Sequence, residues 1–155
     1  MRGADSCPRP AEWYNRGVPQ KFHIHNFREV IKMKNAVVTK KAPGAIGPYS
    51  QGISTDSMVY TSGQLGMTPD GKMPETVEEQ TKNSLENVKA VLEAAGSSMD
   101  KVVKTTVFLK DMNDFAVMNG IYAKYFKEPF PARSAVQVAR LPKDGKVEIE
   151  VVAVK

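Results

Sequence analysis

From Met33 to Lys155 the chain has no histidine, no cysteine and no tryptophan. Cys7, Trp13, His23 and His25 all precede that point. A single cysteine cannot form an internal disulfide, which fits a reducing compartment. In the later residues Cys–His and Ser–His nucleophile systems are excluded, and so is a zinc site built from His and Cys. No apolar run approaches the length of a membrane span, and no apolar signal segment begins the sequence. The expectation is a cytoplasmic protein with no metal and no cofactor, whose chemistry uses Arg, Lys, Glu, Asp, Ser, Tyr, Asn and backbone groups.

The cationic excess is small where it matters. Six cations against three anions in residues 1 to 32 leave +3 there and +2 for the remaining residues, out of a net +5. A nearly balanced globular part disfavours a nucleic-acid partner. With 155 residues, 41% hydrophobic and 25% charged, the chain suits one globular domain. Residues 1 to 32 carry scattered prolines and no persistent period, so they read as an N-terminal extension and residues 33 to 155 as the domain. His23 and His25 could share one side of a strand as metal ligands, but two unrelated surface histidines are the better reading. Met33 is a plausible alternative start.

Alternation and turn signals order the domain. Ala36 to Lys40 reads as a first strand, and a Gly/Pro-rich loop from Ala42 to Gly52 follows. Gln51 to Thr55 and Met58 to Ser62 read as a hairpin. Thr76 and Glu79 match a capping box before a helix over 77–95, with Gly96 as its C-terminal stop. Val102 to Lys110 alternates as a strand. Asp114 can cap a second helix whose Phe115, Met118, Tyr122, Tyr125 and Phe126 form a stripe, which is far more often core than cofactor box.

The C-terminal stretch reads as two strands, 133–139 and 146–154, joined by a polar turn at Pro142, Asp144 and Gly145. Val147, Ile149, Val151 and Ala153 point one way, and Glu148, Glu150, Val152 and Val154 the other. Arg133 and Glu148 therefore stand on neighbouring β-segments. For an arbitrary pair a surface salt bridge is the default reading. Here Pro131 pins the entry to Arg133, and the face carrying Glu148 is partly apolar. A guanidinium at such a fixed place suits capture of a carboxylate or phosphate. The class is α+β, with helices on one face of a mixed sheet and a second, partly apolar face that oligomerisation would cover.

The segments Gly47-Pro48-Tyr49-Ser50-Gln51, Thr61-Ser62-Gly63-Gln64, Asn83-Ser84-Leu85-Glu86-Asn87-Val88, Lys104-Thr105-Thr106-Val107, Phe130-Pro131-Ala132-Arg133-Ser134 and Glu148-Ile149-Glu150 occur in this order. Together they make the chain from about Lys34 onward resemble the YjgF/RidA family of enamine/imine deaminases. The resemblance implies a chorismate-mutase-like fold and a homotrimer whose sheets form a central barrel, with ligand clefts between subunits. It implies hydrolysis of 2-imino acids such as 2-iminobutanoate and 2-iminopropanoate to 2-keto acids and ammonia.

It also implies roles. Arg133 would bind the substrate carboxylate and Glu148 would activate water. Tyr49, Ser62 and Asn119 would line the substrate site, with a backbone contact at Ala135. Many family members carry cysteine where this chain has Ala135, so a mechanism that needs that thiol is excluded. Two other readings stay open: an endoribonuclease or translation inhibitor of the same family, and a non-catalytic trimeric carboxylate-binding protein.

Overall fold

The structure, a computed structural model, describes residues 34–155. The expected extension over residues 1–32, with Cys7, Trp13 and the His23/His25 pair, and the candidate start at Met33 lie outside the described residues. One sheet organises the rest. Its strands are β1 (Asn35–Val37), β2 (Gly52–Ser54), β3 (Met58–Thr61), β4 (Gln64–Leu65), β5 (Val102–Leu109), β6 (Ala132–Gln137) and β7 (Val147–Val154). The order is β1-β2-β3-β7-β5-β6, and β4 also pairs with β7. All pairings are antiparallel except β5 with β6. Two helices, α1 (Val77–Ala94) and α2 (Phe115–Tyr122), cover one face. This is the mixed α+β sheet expected from the sequence.

Alternation decides which face is buried. Thr105, Val107 and Leu109 of β5 sit beside Val151, Ile149 and Val147 of β7, and all six are buried. They pack against Leu85, Val88 and Leu92 of α1 and Met118 and Tyr122 of α2. Full burial of each such aliphatic side chain contributes about 1.5–3 kcal/mol. The opposite face carries Tyr60, Val136 and Val154 exposed, beside Glu148, Glu150 and Val152.

Helix α1 starts and stops as its sequence dictates. Thr76 Oγ1 accepts from the Glu79 amide at 3.2 Å and donates to the Glu79 carboxylate at 3.1 Å. Gly96 adopts φ +78°, which a Cβ would disfavour, and ends the helix. The second helix differs from expectation. Asp114 makes no side-chain cap. Asp111 instead accepts from the Asn113 amide and opens a short 3-10 turn that leads into α2. Tyr125 and Phe126 lie beyond the helix yet still pack on the core.

Two further differences concern connections. The first strand ends at Val37 because Gln51 takes over the following backbone. Gln51 is buried, accepts from the Thr39 amide, and donates to the carbonyls of Thr39, Ala42 and Pro43. The C-terminal strands are not neighbours: β5 lies between β6 and β7. Parallel pairing of β6 with β5 needs a crossover, which α2 supplies, and residues 138–146 then span β5 to begin β7.

Polar side chains of α1 hold the segment that follows β3. Ser84 Oγ donates to the Gln64 carbonyl at 2.7 Å, and Asn83 Nδ2 to the Gly66 carbonyl at 3.2 Å. Asn87 Nδ2 donates to the carbonyls of Leu65 and Met67 at 3.1 and 2.8 Å. Gly66 allows this approach, since a Cβ there would meet the Gln80 backbone at 2.4 Å. Asn87→Ala leaves two carbonyls without that donor and is expected to cost about 2–6 kcal/mol, because each orphaned buried group costs about 1–3 kcal/mol. Urea denaturation checks this; a loss below that range would mean water replaces the amide.

Candidate active site

The six residues singled out by the sequence fall into two groups of three, on opposite faces of the sheet. Tyr49, Ser62 and Glu148 line a cleft of about 480 Å³ on one side. Arg133, Asn119 and Ala135 lie on the helix-covered side. Arg133 pairs with Thr105 and Ala135 with Val107, both of which face the helices. Glu148 pairs with Phe108 on the other face.

In the register, Arg133 shares a row with Thr105 and Val151, whereas Glu148 lies three residues along β7 from Val151. Two strand spacings and three residue rises each amount to roughly 10 Å. The ion pairs among the described residues are Lys72–Asp70 and Arg140–Asp144. Thus the surface salt bridge between Arg133 and Glu148 does not form, and the two are not on adjacent strands.

Arg133 is held by α2. Its Nη1 donates to Asn119 Oδ1 at 2.8 Å. The guanidinium lies 4.6 Å from the Tyr122 ring centroid and 5.6 Å from that of Phe115. Only one of its five N–H donors is used by Asn119, so the fork stays available to a carboxylate. Asn119 thus touches the arginine directly. Ala135 packs its methyl against the core, and β6 is an edge strand with one backbone side unpaired among the described residues.

The cleft around Glu148 is shaped by backbone. A Cβ on Gly63 would sit 1.8 Å from a Glu148 carboxylate oxygen, so any side chain there would push that carboxylate out of its present place. Ser62 Oγ donates to the Ser50 carbonyl at 2.6 Å and its amide to the Gln51 carbonyl at 3.0 Å, which ties the end of β3 to the Tyr49 loop. The Tyr49 hydroxyl accepts from the Ile46 amide at 3.3 Å, and half of its side chain stays exposed. Lys143 also lines the cleft, with φ +54°, in a turn braced by two hydrogen bonds from Arg140 to Asp144. Burial pushes the Glu148 carboxyl above its ordinary 4.5, and the negative charge of Glu150 adds to this.

The roles of Gly63, Gln51 and Lys143 were not assigned from the sequence. Gly63 stands inside a recognised segment, but its closeness to Glu148 arises from the β4–β7 pairing and is not a local signal. Among the described residues no cluster of three or more His, Cys, Asp or Glu could hold a metal, and no helix is long and apolar enough to cross a membrane.

Comparison with known proteins identifies relatives of the chain. The family model Endoribonuclease L-PSP matches residues 39–155. The 2-iminobutanoate/2-iminopropanoate deaminase of Salmonella typhimurium is 54% identical over 127 residues, covering 79% of this chain and 99% of the relative. The protein of the same name from Escherichia coli is 52% identical over 127 residues, covering 79% of this chain and 99% of the relative. The crystal structure of E. coli TdcF with bound serine superposes with a TM-score of 0.75 at 50% identity, over 78% of this chain and 98% of the other.

Glu150→Gln removes the smaller of the two causes that raise the Glu148 carboxyl. The titration midpoint of Glu148, followed by carboxyl-carbon NMR, is expected to fall in that variant yet stay above 4.5, because burial is the larger cause. A midpoint that does not move would mean Glu150 does not act on Glu148.

Proposed function

Because the chain belongs to the Endoribonuclease L-PSP family, the YjgF/RidA family that its sequence resembles, we propose that it hydrolyses 2-imino acids such as 2-iminobutanoate and 2-iminopropanoate to 2-keto acids and ammonia. The observation that carries the reading is the pair of half-sites: an arginine with a free donor fork, and a carboxylate of raised basicity in a cleft. The substrate has matching parts. Its carboxylate suits Arg133, and its C=N carbon is already electrophilic, so a positioned water is a sufficient nucleophile.

In this reading Glu148 takes a proton from water as the oxygen adds to the imine carbon. The imine nitrogen takes the proton held by Glu148, giving a tetrahedral carbinolamine. That intermediate then collapses: its hydroxyl proton passes through Glu148 to the nitrogen, C=O forms, the C–N bond breaks, and ammonia leaves with the 2-keto acid. Proton transfer by a positioned carboxylate is typically worth about 10²–10⁴-fold. Tyr49 and Ser62 wall the cleft beside Glu148, and the backbone at Ala135 takes up the other end of the substrate.

The two half-sites lie on opposite faces of one sheet, so a molecule this small cannot touch both within one chain. The proposal therefore includes a second copy: β6 with Arg133 from one subunit meets the Glu148 cleft of the next, in a cytoplasmic homotrimer. The partly apolar open face of the sheet, with Tyr60, Val136 and Val154, supports such an assembly. The unit that works is residues 33 to 155, and residues 1 to 32 are dispensable for turnover. An RNA substrate finds less support. Acid–base cleavage of RNA without metal usually calls on His or Lys pairs, and residues 33 to 155 lack histidine.

The test is a coupled assay in which a dehydratase releases 2-iminobutanoate from threonine and keto-acid formation is followed. The protein is expected to accelerate it. Arg133→Lys keeps the charge but loses the planar fork; a lost charge-assisted hydrogen bond of about 1.5–3 kcal/mol lowers kcat/KM about 10–150-fold. Glu148→Gln is expected to lower kcat about 10²–10⁴-fold while 2-oxobutanoate still binds. In the wild type, kcat/KM should fall as pH drops through the Glu148 midpoint, above 4.5. Unchanged turnover in Glu148→Gln would remove Glu148 from the mechanism.

A further inference from the structure

Of Arg133, Asn119 and Ala135, Arg133 carries the charge, and its aim depends on what lies beneath it. On the sheet side, Thr105 of β5 is fully buried and shares a 2.9 Å hydrogen bond with the Tyr122 hydroxyl. Tyr122 itself is 6% exposed, and its ring is packed against Phe126 at 4.4 Å between centroids. The ring can therefore neither rotate freely nor slide along the core. The Arg133 guanidinium sits 4.6 Å from its centroid, within the range of a cation–π contact. Burial holds the phenol above its ordinary 10.0, so the ring stays neutral across the working pH range.

Asn119 fixes only one corner of the fork, through Nη1. A single hydrogen bond leaves the guanidinium free to swing about it. The Tyr122 ring, its centroid 4.6 Å from the guanidinium carbon, restricts that swing without using any of the remaining donors. This is the arrangement a carboxylate-binding arginine needs: its orientation set by π contact, its N–H groups left for the ligand.

We propose that Tyr122 is a positioning residue for the imine-hydrolysis site, with its Thr105-anchored ring face setting the plane of the Arg133 guanidinium that receives the substrate carboxylate. This rests on the deaminase reading above. The role belongs to the ring, and the hydroxyl serves to lock the ring in place. Phe115, 5.6 Å from the guanidinium, supplies a second and weaker wall.

The experiment compares Tyr122→Leu and Tyr122→Phe in the full chain. KM for 2-iminobutanoate, Kd for 2-oxobutanoate and the order of the Arg133 Nε–H bond by nitrogen-15 relaxation are the readouts, with thermal stability alongside. Tyr122→Leu is expected to raise KM and Kd about tenfold with a smaller change in kcat, and to loosen the Arg133 Nε–H bond. Tyr122→Phe should stay within about threefold of wild type, although it loses the Thr105 hydrogen bond. Incorporation of trifluorophenylalanine at position 122 keeps the shape of the phenylalanine ring while weakening its negative face. It should raise Kd above that of Tyr122→Phe, and it decides the matter if the leucine variant fails to fold.

A drop in thermal stability with unchanged KM, Kd and Arg133 order would overturn the proposal and leave Tyr122 as core packing. Equal losses in Tyr122→Phe and Tyr122→Leu would overturn it too, by shifting the effect to the hydroxyl. A wild-type protein with neither turnover nor 2-oxobutanoate binding would instead sink the deaminase reading, and the Arg133 relaxation data would still decide whether the ring orders the guanidinium.

Discussion

The antiparallel register of β5 with β7 governs this molecule, because it sets which side chains share a face. Thr105 opposite Val151, Val107 opposite Ile149 and Leu109 opposite Val147 make one apolar surface for the helices. By the two-residue period of a strand, the same register sends Glu148 and Glu150 to the other side. β6 joins β5 with Arg133 beside Thr105, so the guanidinium is committed to the helix side. A slip of one residue along β7 would bury two glutamates, and the cost of burying charge without partners forbids it. The separation of the two half-sites is therefore a consequence of the same pairing that builds the core.

Each half-site is held by polar groups that satisfy backbone as they position it. On the cleft side, Ser84, Asn83 and Asn87 donate to carbonyls from Gln64 to Met67, and this fixes the segment beside Gly63 and Glu148. Gln51 does the same for the loop that carries Tyr49. On the helix side, Asn119, Tyr122 and Thr105 hold Arg133. Groups of this kind are costly when unpaired and directional when paired, so they give each site one geometry.

Local signals made much of the fold legible. The Thr76/Glu79 cap, the stop at Gly96 and the alternation of β5 and β7 depend on residues a few positions apart, and the structure has them where the sequence puts them. The neighbour relations were not legible. Nothing within residues 133 to 154 reveals that a strand from 102–109 lies between its two strands, since that pairing is set by core packing across the whole chain. The error carried over to the site: Arg133 and Glu148 read as neighbours and are in fact on opposite faces. Gly63 was invisible for the same reason, because its contact with Glu148 comes from the distant pairing of β4 with β7. Arg133 and Glu148 stood out from their own strands, resemblance supplied the roles, and the grouping of the candidate residues came only with the structure.

A functioning site that needs Arg133 from one subunit and Glu148 from the next makes a demand that a site within one chain does not. Arg133→Ala and Glu148→Gln, each nearly inactive alone, should complement each other when mixed, unfolded and refolded together. In random trimers, every mixed assembly regains one intact site of three, so roughly a quarter of wild-type turnover should return from an equal mixture. Recovery near that level is the result this account predicts. A refolded mixture that contains mixed oligomers and yet stays as inactive as its parents would contradict it.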